Sequence, residues 1–212
     1  MKKTHILRLV LFLSVTATLL VSGNLGRAAT ETSNLGETGN GSQNFSGNVQ
    51  LASSFTTDNL NYTLNSLTLS LDSPLANNVT VTLSLFADAS GAPTGSALET
   101  FTPLTFSSGG DKTFNSTGLG LTPDTTYWLT ASGSGSVPVW FATASTAQTG
   151  SWSIGDNGLQ STDGGTTWSS SANIGQFSVD ASPVPEPAPL ALVSLAAACY
   201  VVWRRRKAAK PA

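Results

Sequence analysis

The chain offers carboxylates, hydroxyls and indole rings for chemistry, and little else. Its single histidine is His5 and its single cysteine is Cys199, both in apolar terminal segments. Between Ala29 and Pro183 there are eleven acids, one base (Lys112) and no arginine, a net charge of −10. Nucleophilic triads that need imidazole or thiolate therefore have no members here, and zinc sites of the usual types have no soft ligands. A surface so poor in cations cannot neutralise phosphates, which excludes nucleic acid as a partner. Two chemistries survive. Paired carboxylates cleave glycosides when ~5 Å or ~6.5–9.5 Å apart, and oxygen ligands hold calcium. Most of the acids fall in turns, where Asp is common for conformational reasons, and no pair stands out. Asp88, Asp156 and Asp163 lie in loops beside Gly or Asn. None reproduces a full calcium-loop spacing, so the expectation is no cofactor, with a structural calcium as the alternative.

Indoles are the other resource. Trp128, Trp140, Trp152 and Trp168, with Tyr62 and Tyr127, offer flat apolar faces on which sugar rings stack. In Val137-Pro-Val-Trp-Phe141, period-two alternation puts Val137, Val139 and Phe141 on one face and Trp140 on the other. Trp140 is thus the first candidate for glycan stacking. Tyr127 and Trp128 are strand neighbours and point to opposite faces, so one belongs to the core and the other lies under a loop or is exposed; Trp128 is the second candidate for stacking. Packing in the core is the competing reading for each ring. In Ser161-Thr-Asp-Gly-Gly-Thr-Thr-Trp168, Ser161 and Asp163 can bond the backbone amides of a tight hairpin. Gly165 permits positive φ there, and Trp168 packs beneath. The pattern resembles the Asp-box of sialidases and related propellers. Propellers carry several copies, and sialidase chemistry needs arginines; with one copy and no arginine nearby, a structural hairpin is expected.

The elements that must position these residues are strands. Leu67, Leu69 and Leu71 alternate with Thr68 and Ser70, and Val79, Val81, Leu83 and Leu85 alternate with Thr80, Thr82 and Ser84. Such alternation marks strands buried on one side. Further strands are expected near 98–106, 112–117, 126–131, 137–143, 150–155, 158–162, 167–171 and 174–180, separated by Gly, Pro, Asn and Asp turns. No helical period interrupts them. About ten short antiparallel strands predict an all-β fold, a jelly-roll-like β-sandwich spanning 44–182. Residues 29–43, rich in Gly, Asn, Ser and Thr without periodicity, are expected to be a flexible lead-in.

Both ends read as targeting segments. Lys2, Lys3 and Arg8 precede the apolar stretch Leu9–Val21, and small residues Gly26 and Ala28 follow. Residues 1–28 are therefore expected to be a signal peptide for Sec export, cleaved after Ala28. At the other end, residues 183–189 carry four prolines, including Val184-Pro185-Glu186-Pro187, which neither a sheet nor a helix interior accommodates. An uncharged run through Trp203 follows, expected to be one transmembrane helix over 190–203. Residues 204–212 then open with Arg204, Arg205, Arg206 and Lys207, a cluster that stops transfer and holds that end in the cytoplasm. This tail resembles the PEP-CTERM sorting signal of bacterial envelope proteins. The resemblance implies an exosortase-type membrane protease as partner, an inner-membrane-anchored precursor, and delivery to the cell surface or extracellular matrix. An ordinary C-terminal anchor is the alternative.

Pieces of the middle resemble the choice-anchor R domain of bacterial surface proteins. They are Ala52-Ser-Ser-Phe-Thr-Thr57, Tyr62-Thr-Leu-Asn-Ser-Leu-Thr-Leu69, Leu83-Ser-Leu-Phe-Ala-Asp88 with Pro93, Leu121-Thr-Pro-Asp-Thr-Thr-Tyr-Trp-Leu129, and Trp152-Ser-Ile-Gly155 leading to Trp168 and Phe177. That resemblance covers roughly 43–180 and implies a β-rich fold and a surface location, with no catalytic residues to carry over. The expectation is an exported surface or matrix protein without catalysis of its own. The alternatives are a carbohydrate-binding module for exopolysaccharide and, more remotely, a carboxylate-based glycoside hydrolase.

Overall fold

Alternating apolar and hydroxyl residues become strands whose apolar sides meet. The computed structural model describes residues 27–73, 77–185 and Tyr200. The expected signal peptide up to residue 26, Glu186 and Pro187 of the sorting motif, the expected membrane helix save Tyr200, and Arg204, Arg205, Arg206 and Lys207 lie outside the described residues. No helix among the described residues is long and apolar enough to cross a membrane.

The first strands are β1 (Ala29–Ser33), β2 (Gly41–Asn44), β3 (Gln50–Thr56), β4 (Tyr62–Asp72), β5 (Val79–Ala89) and β6 (Ala92–Thr100). Then come β7 (Leu104–Phe106), β8 (Gly110–Asn115), β9 (Gly120–Leu121), β10 (Thr126–Gly135), β11 (Val139–Thr143) and β12 (Thr149–Gly150). The last are β13 (Ser153–Ile154), β14 (Gly158–Ser161), β15 (Ser169–Ser171), β16 (Ile174–Gly175) and β17 (Phe177–Pro183). They form two antiparallel sheets. One runs β12-β1-β17-β4-β11-β16, with β2 on β11 and both β8 and β9 on β4. The other runs β15-β14-β3-β10-β5-β6, with β13 on β3 and β7 on β5.

One core lies between them. Leu67, Leu69 and Leu71 of β4 and Phe177 and Val179 of β17 come from the first sheet; Phe55, Leu83, Leu85 and Leu129 come from the second. Burying each such side chain contributes about 1.5–3 kcal/mol against the chain's lost freedom. Aromatic rings knit one end. Phe55 stacks on Trp152 at 5.5 Å and on Tyr127 at 5.6 Å, and Tyr62 meets Trp152 edge-on at 4.8 Å. On the outer faces, hydroxyls pair across strands, as in Thr68 with Thr113 (2.9 Å) and Thr80 with Thr105 (2.8 Å). The side chain of Glu99, buried in the second sheet, accepts bonds from the Ser116 hydroxyl and from the Thr117 amide and hydroxyl at 2.6–2.9 Å. These charge-assisted bonds hold the loop after β8.

The expected lead-in over 29–43 is corrected by the structure. β1 runs along β17, pairing Thr32 with Val179, and β2 runs along β11, pairing Gln43 with Trp140. Thr32 and Asn34 are almost wholly buried, at 0% and 1% exposure. Asn34 is a clamp: its Oδ1 accepts the Phe177 amide at 2.7 Å, its Nδ2 donates to the Gly175 carbonyl at 3.3 Å, and its own amide donates to the Phe177 carbonyl at 3.1 Å. Backbone pairing needs no apolar alternation, so a polar segment can complete a sheet that composition alone marks as loose. Residues Ala28–Pro183 thus make one unit, opening at β1 rather than at residue 44.

Asn34→Ala should strand a buried Phe177 amide and lower the unfolding free energy of residues 28–183 by ~1–3 kcal/mol in urea titration. No change would mean that the segment is loose after all.

Candidate binding groove

The outer face of the second sheet carries the site. On β10 the inward residues Tyr127, Leu129 and Ala131 join the core, so Trp128, Thr130 and Ser132 face out. Register sets three rows across the sheet: Trp128 beside Ser54 and Phe86, Thr130 beside Ala52 and Ser84, and Ser132 beside Gln50 and Thr82. The middle row is small, which leaves a trough. Two hairpins rise at its sides.

The first joins β5 to β6 through Ser90 and Gly91, both at positive φ, the conformation that a two-residue hairpin requires. Beyond it the register slips between Leu85 and Ala87, so the chain near Thr94 and Gly95 bulges outward opposite Phe86. The second hairpin joins β14 to β15 and is the Ser161–Trp168 octapeptide. Ser161 Oγ donates to Asp163 Oδ1 at 2.8 Å and accepts the Gly165 amide at 2.8 Å. Asp163 Oδ1 also accepts the Thr166 and Thr167 amides at 3.0 and 2.9 Å, and its Oδ2 accepts the Thr167 hydroxyl at 2.7 Å. Gly164 and Gly165 take φ of 76° and 91°, and the Gly164 amide donates to the Asn48 carbonyl at 2.9 Å, tying the loop to the entry of β3. The Thr167 hydroxyl, then its amide, hold the Asp163 carboxyl down to about 2 from 3.8.

Between the hairpins lies a groove of about 390 Å³. Phe86 and Trp168, both partly exposed, supply its rings, and Gln50, Ser84, Thr130 and Ser132 its amide and hydroxyls; no charged residue lines it. Beneath the rings, Trp128, Ala52 and Leu159 form a small second core, against which Phe86, Ala92 and Trp168 pack.

The two expected glycan-stacking residues are not at this surface. Trp140 is 1% exposed, and the face assignment from Val137-Pro-Val-Trp-Phe141 is inverted. Opposite Leu71 in the register, Trp140 turns into the core, while Val137 is exposed and Phe141 half-buried. Its indole donates to the Gln176 carbonyl at 2.9 Å and fills space that Gly175 leaves: a Cβ there would run into the ring. Trp128 faces outward but is 5% exposed, covered by its neighbours, and its indole donates to Asp88 Oδ1 at 2.7 Å. Trp168, read from sequence as a hairpin prop, is the most exposed indole among the described residues. Phe86 carries no sequence signal beyond its place in the outward set Thr82, Ser84, Phe86.

The acids do not gather into a metal site. No group of three or more Asp, Glu, His or Cys converges among the described residues. Asp88 serves Trp128, Asp163 serves its own hairpin, and Asp156 is exposed. Among the described residues, Glu31 and Asp58 approach one another and share the Ser151 hydroxyl at 3.2 and 3.3 Å, with Asp180 nearby. Burial raises the Glu31 carboxyl above its usual range, and repulsion from Asp58 and Asp180 adds to it. Asp58 Oδ2 accepts the Tyr62 hydroxyl at 2.8 Å; burial first, then this bond, push that phenol up to about 12.

At the C-terminal end, β17 stops at Pro183, and Val184 follows it exposed at 46%. Residues 183–207 match the PEP-CTERM protein-sorting motif. That motif marks an exported protein, associated with the membrane at its C-terminus and sorted by an exosortase. The matched stretch begins on the last residue of the sheet and includes both Val184-Pro-Glu-Pro187 and the Arg204–Lys207 cluster. No curated protein matches the chain.

The Asp163 network makes a pH prediction. A carboxyl whose folded value lies below its unfolded one stabilises fully above about pH 4 and loses that contribution as pH falls through about 2. Hydrogen-exchange protection of the Thr166 and Thr167 amides should therefore hold at pH 5 and collapse near pH 2 while β10 stays protected. Protection indifferent to pH, or absent in Asp163→Ala and wild type alike, would contradict it.

Proposed function

We propose that this protein is an exported, non-catalytic component of the cell surface or extracellular matrix. The Sec machinery carries it out and the signal peptide is cut after Ala28. The 190–203 helix and Arg204–Lys207 hold the precursor in the inner membrane until an exosortase cuts near Val184–Pro187. One observation carries this reading: the matched sorting motif starts where β17 ends, so cleavage there removes no strand of the sandwich. Ala28 likewise sits just ahead of β1, so removal of the signal peptide spares the first strand. The resemblance of 43–180 to choice-anchor R agrees with a surface role, and no cofactor is needed for it.

A second reading, binding to extracellular polysaccharide, is favoured by the open aromatic groove between the two hairpins. The glycoside-hydrolase alternative would draw on Glu31 and Asp58, which the Ser151 hydroxyl bridges among the described residues. Glu31→Gln and Asp58→Asn would then each abolish hydrolysis.

Mass spectrometry of the protein released by its producing cell tests the main proposal. The expected species begins at Ala29 and ends between Val184 and Pro187. A released form still ending in Pro211-Ala212 would overturn it.

A further inference from the structure

The groove on the outer face of the second sheet has a ligand chemistry of its own. We infer that it binds a strand of uncharged polysaccharide, with Phe86 and Trp168 stacking on sugar rings and Gln50, Ser84, Thr130 and Ser132 bonding their hydroxyls. This deepens the carbohydrate-binding reading above and moves it off the residues that sequence favoured.

Four observations converge. The volume, about 390 Å³, falls in the range of small-ligand sites, ~300–1,000 Å³. Its lining is uncharged, so it has no cation for a uronate, sulfate or phosphate and no carboxylate for an amine or a metal. The surrounding domain, at −10, repels anionic polymers further. Two of its hydroxyls are under-used within the protein, while that of Ser84 pairs with the Thr100 hydroxyl at 3.1 Å. Thr130 Oγ1 reaches the Ser84 carbonyl only at 3.4 Å and Ser132 Oγ the Thr82 carbonyl only at 3.5 Å, both long for hydroxyl donors.

The rings are held in place rather than loose. Trp168 ends the hairpin that Ser161 and Asp163 lock with six bonds, and Phe86 sits at the register slip of β5 against the small core around Trp128. Fixed aromatic faces flanked by hydroxyls suit a ligand that alternates C–H faces with O–H edges. The floor is a sheet face, with its backbone amides already paired in β3, β10 and β5, so an extended peptide would find no edge to join.

The test uses the full chain in mild detergent micelles, run through native gels containing hydroxyethyl cellulose, galactomannan, xyloglucan, alginate or dextran sulfate. Retardation is expected on at least one of the three uncharged polymers and on neither anionic one. Phe86→Ala and Trp168→Ala should each weaken it by about tenfold or more, the factor that ~1.4 kcal/mol of lost stacking produces. Ser132→Glu, which puts a charged side chain into the trough, should abolish it with an unchanged melting temperature. Thr113→Ala, on the outer face of the other sheet, should leave it intact. Retardation that survives Phe86→Ala and Ser132→Glu would overturn the groove while leaving carbohydrate binding standing. No retardation on any polymer would overturn both, and retardation on the anionic polymers alone would overturn the ligand class.

Discussion

The structure depends on one constraint: each sheet must cover its apolar face with the other. The leucines of β4 and the aromatic and valine of β17 share one core with the inward residues of β3, β5 and β10, and every one of them is buried. No helix among the described residues in Ala28–Pro183 offers another way to exclude water. Strand length, register and the placing of turns follow, because a slip of one residue would turn each leucine outward. Polar strands are recruited on the same terms. β1 contributes few apolar atoms, yet its backbone and Asn34 pair with β17, which would otherwise be a sheet edge.

The outer faces are then free to differ. On the first sheet they are mostly hydroxyl ladders. On the second, the small row Ala52–Thr130–Ser84 and the two hairpins break that regularity, and Trp128 is sealed beneath Phe86, Ala92 and Trp168. The hairpin around Asp163 uses two glycines at positive φ and several oriented hydroxyls. A plain turn could join β14 and β15 with less. What the more elaborate loop gains is a rigid wall with an indole at its foot.

How much of this the sequence disclosed follows from what kind of force holds each part. Strands held by alternation were visible: Leu67, Leu69, Leu71 and Val79, Val81, Leu83, Leu85 name their own inward faces. Segments held by backbone bonds were not, which is why β1 and β2 read as loose chain. Trp140 misled because three apolar neighbours outvoted one indole, whereas the buried side was set by the pairing with Leu71 and by the room that Gly175 leaves. Such long-range complementarity has no local signature. The Ser161–Trp168 hairpin was legible because its contacts fall within eight residues, but the groove it walls was not. The groove arises from three strands, β3, β5 and β10, brought together from across the chain. The tail was the most readable part, since a sorting signal must be recognised as a linear stretch.

The two ends of the domain also share one consequence of closure. β1 and β17 lie side by side, Ala29 opposite Ala181, so the first residue after the expected signal cleavage sits next to the last strand before the sorting motif. The central claim is that Ala28–Pro183 closes on itself through this pair and needs neither terminal segment. Native-state hydrogen exchange on residues 28–183 measures that directly. The account predicts that interior β1 amides and those of Phe177 and Val179 exchange only with global unfolding, as slowly as those of β4 and β10. Fast exchange along β1 beside a fully protected β4 would contradict it.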